Sequence, residues 1–305
     1  MQTITADHLV RRYPGIEALK GLTFEVAGGT MYGLIGPDGA GKTTFMRTAC
    51  CLDNPDEGTV IIGGLDVRHD ASRIKEVIGY MPQRFSLYPD LTVGENLRFY
   101  ADLFGVNARE RRRQIDDLLA FSRLGPFVKR RAGNLSGGMK QKLALSCTLV
   151  HTPEVLFLDE PTTGVDPVSR REFWEILAKI KANGTTIIVS TPYMDEAERC
   201  DRVGFIHRGT MIAEGIPEDF PAMFSRNLLS ASGVDIVRKA RTLRFPDWAL
   251  DVRTFGDRIH VSVENADEAE PLLTSFLIDN GVGDPIVDHI TPSMEDVFVE
   301  KMSSE

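Results

Sequence analysis

Leu135-Ser136-Gly137-Gly138-Met139-Lys140-Gln141 stands just ahead of Val155-Leu156-Phe157-Leu158-Asp159-Glu160-Pro161, and the pairing of these two segments decides how the chain is read. Ser136 is a strong helix N-cap, so the first segment predicts a helix running from Met139 to Leu149. The free N–H groups and dipole of such a helix start make an anion site. The second segment is a short apolar run that ends in two carboxylates. It predicts a buried parallel strand carrying Asp159 to its carboxyl edge. Ligands of open α/β sheets bind at that edge.

Working outward, Thr30-Met31-Tyr32-Gly33-Leu34-Ile35 predicts another buried strand. Gly36-Pro37-Asp38-Gly39-Ala40-Gly41-Lys42-Thr43-Thr44 follows it, and a helix continues from Phe45 to Leu52. This matches G-x-x-x-x-G-K-[ST], the phosphate-binding loop, in the strand–loop–helix setting that the motif requires. The glycines let backbone N–H groups converge on phosphate. Lys42 brings a point charge to the outer phosphates, and the Thr43 hydroxyl suits Mg²⁺. These features together imply a nucleoside triphosphate.

The ordered motifs resemble the ATP-binding subunit of an ABC transporter, of the bacterial ABC-2-type drug and export family. They are most similar to the N-terminal half of two-nucleotide-domain exporter ATPases. The resemblance implies a P-loop NTPase core of α/β class with an antiparallel β subdomain and a helical subdomain. On it, Asp159 holds Mg²⁺ and Glu160 orients or deprotonates the attacking water. Gln83, in Gly79-Tyr80-Met81-Pro82-Gln83, matches the glutamine that reaches Mg²⁺ and water. Tyr13 matches the aromatic that stacks on adenine, although a surface tyrosine before a Pro-Gly turn would look the same. Asp166, in Thr163-Gly164-Val165-Asp166-Pro167, matches a loop that crosses a dimer seam, and it also suits the cap of a helix starting at Pro167. Ser136, Gly137 and Gly138 would face the nucleotide of a second subunit. The loop after Gln83, with Phe85, Leu87 and Tyr88, would meet a transmembrane permease or pack against the helical insert.

Two positions depart from the family pattern. Asp38 stands where asparagine is usual, and a carboxylate near a triphosphate is mildly repulsive. After Thr185-Thr186-Ile187-Ile188-Val189-Ser190-Thr191, where the family has a histidine donating to the γ-phosphate, this chain has Pro192. Proline has neither a side-chain donor nor a backbone N–H. The expectation is a site that binds ATP well and hydrolyses it poorly, paired with a second ATPase subunit as a heterodimer or homodimer.

The 305 residues divide by pattern into a nucleotide domain, 1–217, with a helical part at about 89–149, and an accessory domain, 218–305. The second part reads β-α-β-β-α-β: strand Asn227–Ala231, helix Val234–Leu243, strands Trp248–Thr254 and Arg258–Glu264, helix Ala266–Asn280, strand Ile286–Ile290. That is a ferredoxin-like α+β order, followed by a terminal helix, Met294–Met302. A net charge of −9 argues against nucleic acid as the main partner. The basic runs Arg109–Arg113 and Lys129–Arg131 suit a solvated face or acidic lipid headgroups. His151 reads as a loop residue. Cys50, Cys51, Cys147 and Cys200 lack metal-ligand spacing and read as buried thiols in a reducing compartment. No apolar run approaches the roughly 20 residues of a membrane span, and the first residues lack the pattern of a secretory signal. The expected location is the cytoplasmic side of the inner membrane, peripheral, through the permease. Rival expectations are a regulatory subunit with negligible turnover and a soluble, non-transport ABC protein.

Overall fold

The computed structural model describes residues 3–84 and 87–303. Phe85, one of the loop residues expected to meet a partner, lies outside the described residues. The chain forms two compact units, Met1–Pro217 and Glu218–Glu305.

The first unit opens with β1 (Ile4–Tyr13), β2 (Ile16–Val26), β3 (Met31–Ile35), α1 (Lys42–Ala49), β4 (Glu57–Ile62), β5 (Leu65–Asp66), α2 (Ala71–Val77) and β6 (Ile78–Met81). Helices α3 (Val93–Leu103), α4 (Ala108–Phe121) and α5 (Gly137–Leu149) follow. The unit closes with β7 (Val155–Asp159), α6 (Pro167–Ala182), β8 (Thr186–Thr191), α7 (Met194–Ala197), β9 (Arg202–His207) and β10 (Thr210–Gly215).

Two sheets result. One is antiparallel, in the order β2-β1-β4-β5, and the other has the order β10-β9-β3-β8-β7-β6. In the larger sheet β9, β3, β8, β7 and β6 are parallel, and only β10 runs antiparallel. Strands β3, β7 and β8 are buried along their whole length, as parallel strands covered on both faces must be. Helix α1 packs between the sheets. Phe45 and Met46 meet Leu22 and Phe24 of the antiparallel sheet and Tyr32, Phe157 and Ile188 of the parallel one. Phe24 stacks on Tyr32 at 5.1 Å and leans on Phe45 at 4.9 Å.

The helical part has its own core, with Val93 and Leu97 of α3, Ile115 and Leu119 of α4, and Leu143 and Cys147 of α5. Helix α3 starts earlier than periodicity suggests because Thr92 and Glu95 form a reciprocal capping box. Asn107 likewise caps Arg109 and moves the start of α4 forward to Ala108.

The second unit comprises β11 (Asn227–Val234), α8 (Ile236–Ala240), β12 (Asp251–Phe255), β13 (Arg258–Val263), α9 (Ala266–Asp279), β14 (Gly283–His289) and α10 (Met294–Ser303). Its antiparallel sheet has the order β12-β13-β11-β14, the ferredoxin-like arrangement. The first helix is shorter than expected. Strand β11 continues to Val234, and Asp235 turns the chain at φ 64° before α8 begins. Strand β12 begins only at Asp251, and β14 starts at Gly283, ahead of Pro285.

Among the described residues no helix is long and apolar enough to cross a membrane. Both basic runs make contacts within the unit. Arg111 pairs with Asp102 at 2.6 Å, and Arg130 lies over the ring of Phe127. His151 lies in the turn after α5, as expected of a loop residue, where its Nε2 bonds the Ile78 carbonyl at 2.8 Å and its ring stacks on Phe104.

Candidate nucleotide-binding site

The loop Gly36–Gly41 joins β3 to α1 and bends too sharply for side chains at two positions. A Cβ on Gly36 would lie 2.2 Å from the Ile206 carbonyl oxygen. Gly41 sits at φ 111°, with the Ala18 carbonyl oxygen 2.7 Å from where its Cβ would be. Gly209 N–H donates to the Ala40 carbonyl at 2.9 Å and ties the loop to the turn between β9 and β10. Helix α1 begins at Lys42, three residues before the expected Phe45, so Lys42, Thr43 and Thr44 form its first turn. Their N–H groups belong to the unsatisfied helix start that binds anions.

Lys42 is 4% exposed and folds back over the loop. Its Nζ donates to the carbonyls of Gly36 at 2.7 Å and Pro37 at 3.1 Å, and lies 3.3 Å from Glu160 Oε1. Glu160, just past the end of β7, takes a positive φ of 48°, a strained region for glutamate. The neighbouring strand holds it there. Glu160 N–H reaches both the Ser190 carbonyl (3.1 Å) and Ser190 Oγ (3.0 Å). Gln83 Nε2 donates to Glu160 Oε2 at 2.8 Å, and Thr163 Oγ1 reaches the same oxygen at 3.4 Å.

Asp159 is fully buried. Ser190 Oγ donates to its Oδ1 at 2.6 Å, while Oδ2 is buried and has no hydrogen-bond partner among the described residues. Burial pushes the Asp159 carboxyl above its ordinary range, against the pull of the Ser190 and nearby Thr43 hydroxyls. A buried carboxylate oxygen without a donor suits a cation, so Asp159, together with the Thr43 hydroxyl and Gln83, fits a divalent metal ion.

A cavity of about 900 Å³ lies over the phosphate loop and Glu160, while Asp159 sits beneath it and does not line it. The cavity is lined by Tyr13, Asp38, Lys42, Thr43, Gln83 and Glu160, and also by Lys20 and Arg208. Ser136, Gly137, Gly138 and Asp166 do not line it. Ser136 Oγ accepts from Met139 N–H at 3.4 Å and Asp166 Oδ1 from Ser169 N–H at 3.0 Å, so both cap helices. Gly138 lies against α6, where a Cβ would come within 2.3 Å of the Ser169 Cβ. The Ser136-Gly137-Gly138 turn thus packs on the helix that follows Asp166, not on this chain's own phosphate loop.

Pro192 is half-buried at the end of β8. Around it, Glu196 is 1% exposed and accepts from Thr162 Oγ1 and Thr191 Oγ1, each at 2.5 Å. Arg170 lies 3.8 Å from the same carboxylate and spreads over the ring of Tyr193. Ser190 and Glu196 were not singled out from sequence. Ser190 is a polar residue inside an apolar strand, which was the available signal. Glu196 had none, because one of its hydroxyl donors, Thr162, lies 34 residues away and the other, Thr191, reaches it only through the turn that follows β8.

Residues 19–163 match the family model described as "ABC transporter". The chain is 41% identical over 302 residues to "Probable multidrug ABC transporter ATP-binding protein YbhF" of Escherichia coli, covering 97% of this chain and 51% of that protein. It therefore spans about half the length of that relative. It is 36% identical to "Nod factor export ATP-binding protein I" of Burkholderia thailandensis, over 99% of this chain and 97% of the relative. Among solved structures, an "ATP binding subunit of ABC transporter" superposes with a TM-score of 0.66 at 32% identity, over 72% of this chain and 92% of that one. A dimeric ATP-binding cassette bound to ADP and Pi gives a TM-score of 0.65 at 26% identity, over 70% and 98%. With the phosphate loop, the paired carboxylates and the full-length match to the Burkholderia relative, this chain belongs to the ABC transporter family of ATP-binding proteins.

Proposed function

We propose that this chain is the ATP-hydrolysing subunit of an exporter, driving transport through a separate transmembrane permease of ABC-2 type. The observation that carries this reading is the convergence of Lys42, Gln83 and Glu160 beside the unpartnered Oδ2 of Asp159. On arrival of ATP, Lys42 exchanges the Gly36 and Pro37 carbonyls for phosphate oxygens. The start of α1 receives the β- and γ-phosphates, and Tyr13 stacks on adenine. Asp159, Thr43 and Gln83 hold Mg²⁺, which would supply positive charge against the transferring phosphoryl group. Glu160, released from Lys42, accepts a proton from the attacking water or orients it, with Gln83 holding the carboxylate.

Ser136, Gly137 and Gly138 serve a neighbouring subunit's nucleotide, and Asp166 lies at that seam. The packing of Gly138 on Ser169 of α6, away from this chain's phosphate loop, supports this division. Pro192 offers no donor to the γ-phosphate, so the chain's own site turns over slowly while its Ser136-Gly137-Gly138 turn supports a partner's site. Residues 1–217 form the nucleotide module, with the helical part at about 89–149, and 218–305 an accessory domain. The assembly sits peripherally on the cytoplasmic face of the inner membrane. Pro192 also favours a second reading, a regulatory subunit with negligible turnover.

Purification from native membranes tests the assembly. Recovery of a permease supports it, and recovery of ribosomes or DNA without one rejects it. ATPase measurements on the chain alone and with its co-purified partner, each with Glu160→Gln, separate a slow enzyme from a regulatory subunit.

A further inference from the structure

Tyr13 ends β1, and its hydroxyl donates to Asp53 Oδ2 at 3.0 Å. The same oxygen accepts from Arg47 Nε at 2.7 Å, and Arg47 lies in the last turn of α1, the helix that begins with Lys42. The Asp53 side chain is only 15% exposed. The Arg47 guanidinium holds its carboxyl below the usual range, with the Tyr13 hydroxyl adding to the effect against burial. On the ring itself, the Arg11 guanidinium carbon lies 4.7 Å from the centroid, and Arg11 is anchored by Asp56 at 3.3 Å. One face of Tyr13 is therefore covered by a cation, and its edge is tied to the phosphate-loop helix.

We propose that Asp53 and Arg47 are positioning residues that brace Tyr13 for the base of the nucleotide, setting the spacing between the base subsite and the phosphate subsite. The inference rests on the proposed stacking of Tyr13 on adenine. Pre-orientation of this kind raises affinity by lowering the ordering cost of binding, not by adding a contact to the ligand. It acts only on ligands that carry a base. Inorganic triphosphate, which uses Lys42 and the start of α1 alone, gains nothing from it.

The test is equilibrium binding of ATP and of inorganic triphosphate to the full chain and to Tyr13→Leu, Tyr13→Phe and Asp53→Ala. Loss of the ring in Tyr13→Leu should weaken ATP roughly tenfold or more. Loss of the brace alone, in Tyr13→Phe and in Asp53→Ala, should weaken ATP about three- to tenfold, the worth of one hydrogen bond. Triphosphate affinity should stay unchanged in all three. If Tyr13→Leu binds ATP normally, stacking is wrong and the brace falls with it. If Tyr13→Leu weakens ATP but Tyr13→Phe or Asp53→Ala does not, stacking stands and the brace is overturned. An equal loss of ATP and triphosphate in Asp53→Ala also overturns it, because that is the signature of a distorted loop.

Discussion

Lys42 Nζ and Glu160 Oε1 lie 3.3 Å apart with both side chains almost wholly buried. The lysine of the phosphate loop and the carboxylate at the end of β7 thus neutralise each other, and nucleotide must separate them.

Breaking a buried ion pair from one side leaves an uncompensated charge. Lys42→Met should destabilise the nucleotide-free protein by about 3 kcal/mol and abolish ATP binding. Lys42→Met combined with Glu160→Gln should regain stability but not ATP binding. Chemical denaturation and nucleotide titration of the three variants check this, and a double variant less stable than Lys42→Met would contradict it.

Asp159 has a pH signature of the opposite sign to a salt-bridged carboxylate. Burial raises its folded-state value above the unfolded one, so the folded state holds the proton more tightly. Stability therefore falls as pH rises from the ordinary carboxylate range through the raised value, and stays lower above it. Asp159→Asn should melt higher than the parent protein at neutral pH and lose that advantage near pH 3. It should also lose the Mg²⁺-dependent part of ATP binding. Melting curves across pH read the first effect, and titrations with and without Mg²⁺ the second.

Pro192→His restores a donor at the end of β8. By analogy with removal of one donor from an oxyanion site, turnover at the Lys42–Glu160 site should rise about 10²-fold. The rise should disappear in Glu160→Gln, and steady-state ATPase of the assembled dimer measures both. An unchanged rate would mean that the site never depended on that donor.

Gly138→Ala should cost about 1–3 kcal/mol, because the new methyl would collide with Ser169 and push α5 and α6 apart. Gly137→Ala meets only the Gly164 carbonyl, at 3.9 Å, and should fold normally. Thermal melts compare the two directly.

Much of the site was readable because its parts are local. The phosphate loop needs glycines, lysine and threonine in one run, and Asp159-Glu160 follow directly from a strand whose apolar residues announce its burial. The helices of the insert were legible by periodicity, while the starts of α3 and α4 were set by the Thr92–Glu95 and Asn107 caps. In the second unit the element order was readable. The short α8 was not, because the turn at Asp235 overrides helical periodicity.

The sequence by itself determined the class of ligand chemistry, the order of the elements and the proline where the family has a histidine, since each rests on residue type and spacing along the chain. Only the tertiary structure decided which groups face one another. It aimed Lys42 at Glu160, left Asp159 Oδ2 without a hydrogen-bond partner among the described residues and buried Glu196 between Thr162 and Thr191. It also tied Tyr13 through Asp53 to the far end of α1. These contacts join segments up to 118 residues apart, as between Lys42 and Glu160, and the packing of α1 between the two sheets and of β7 beside β8, not local propensity, sets their distances.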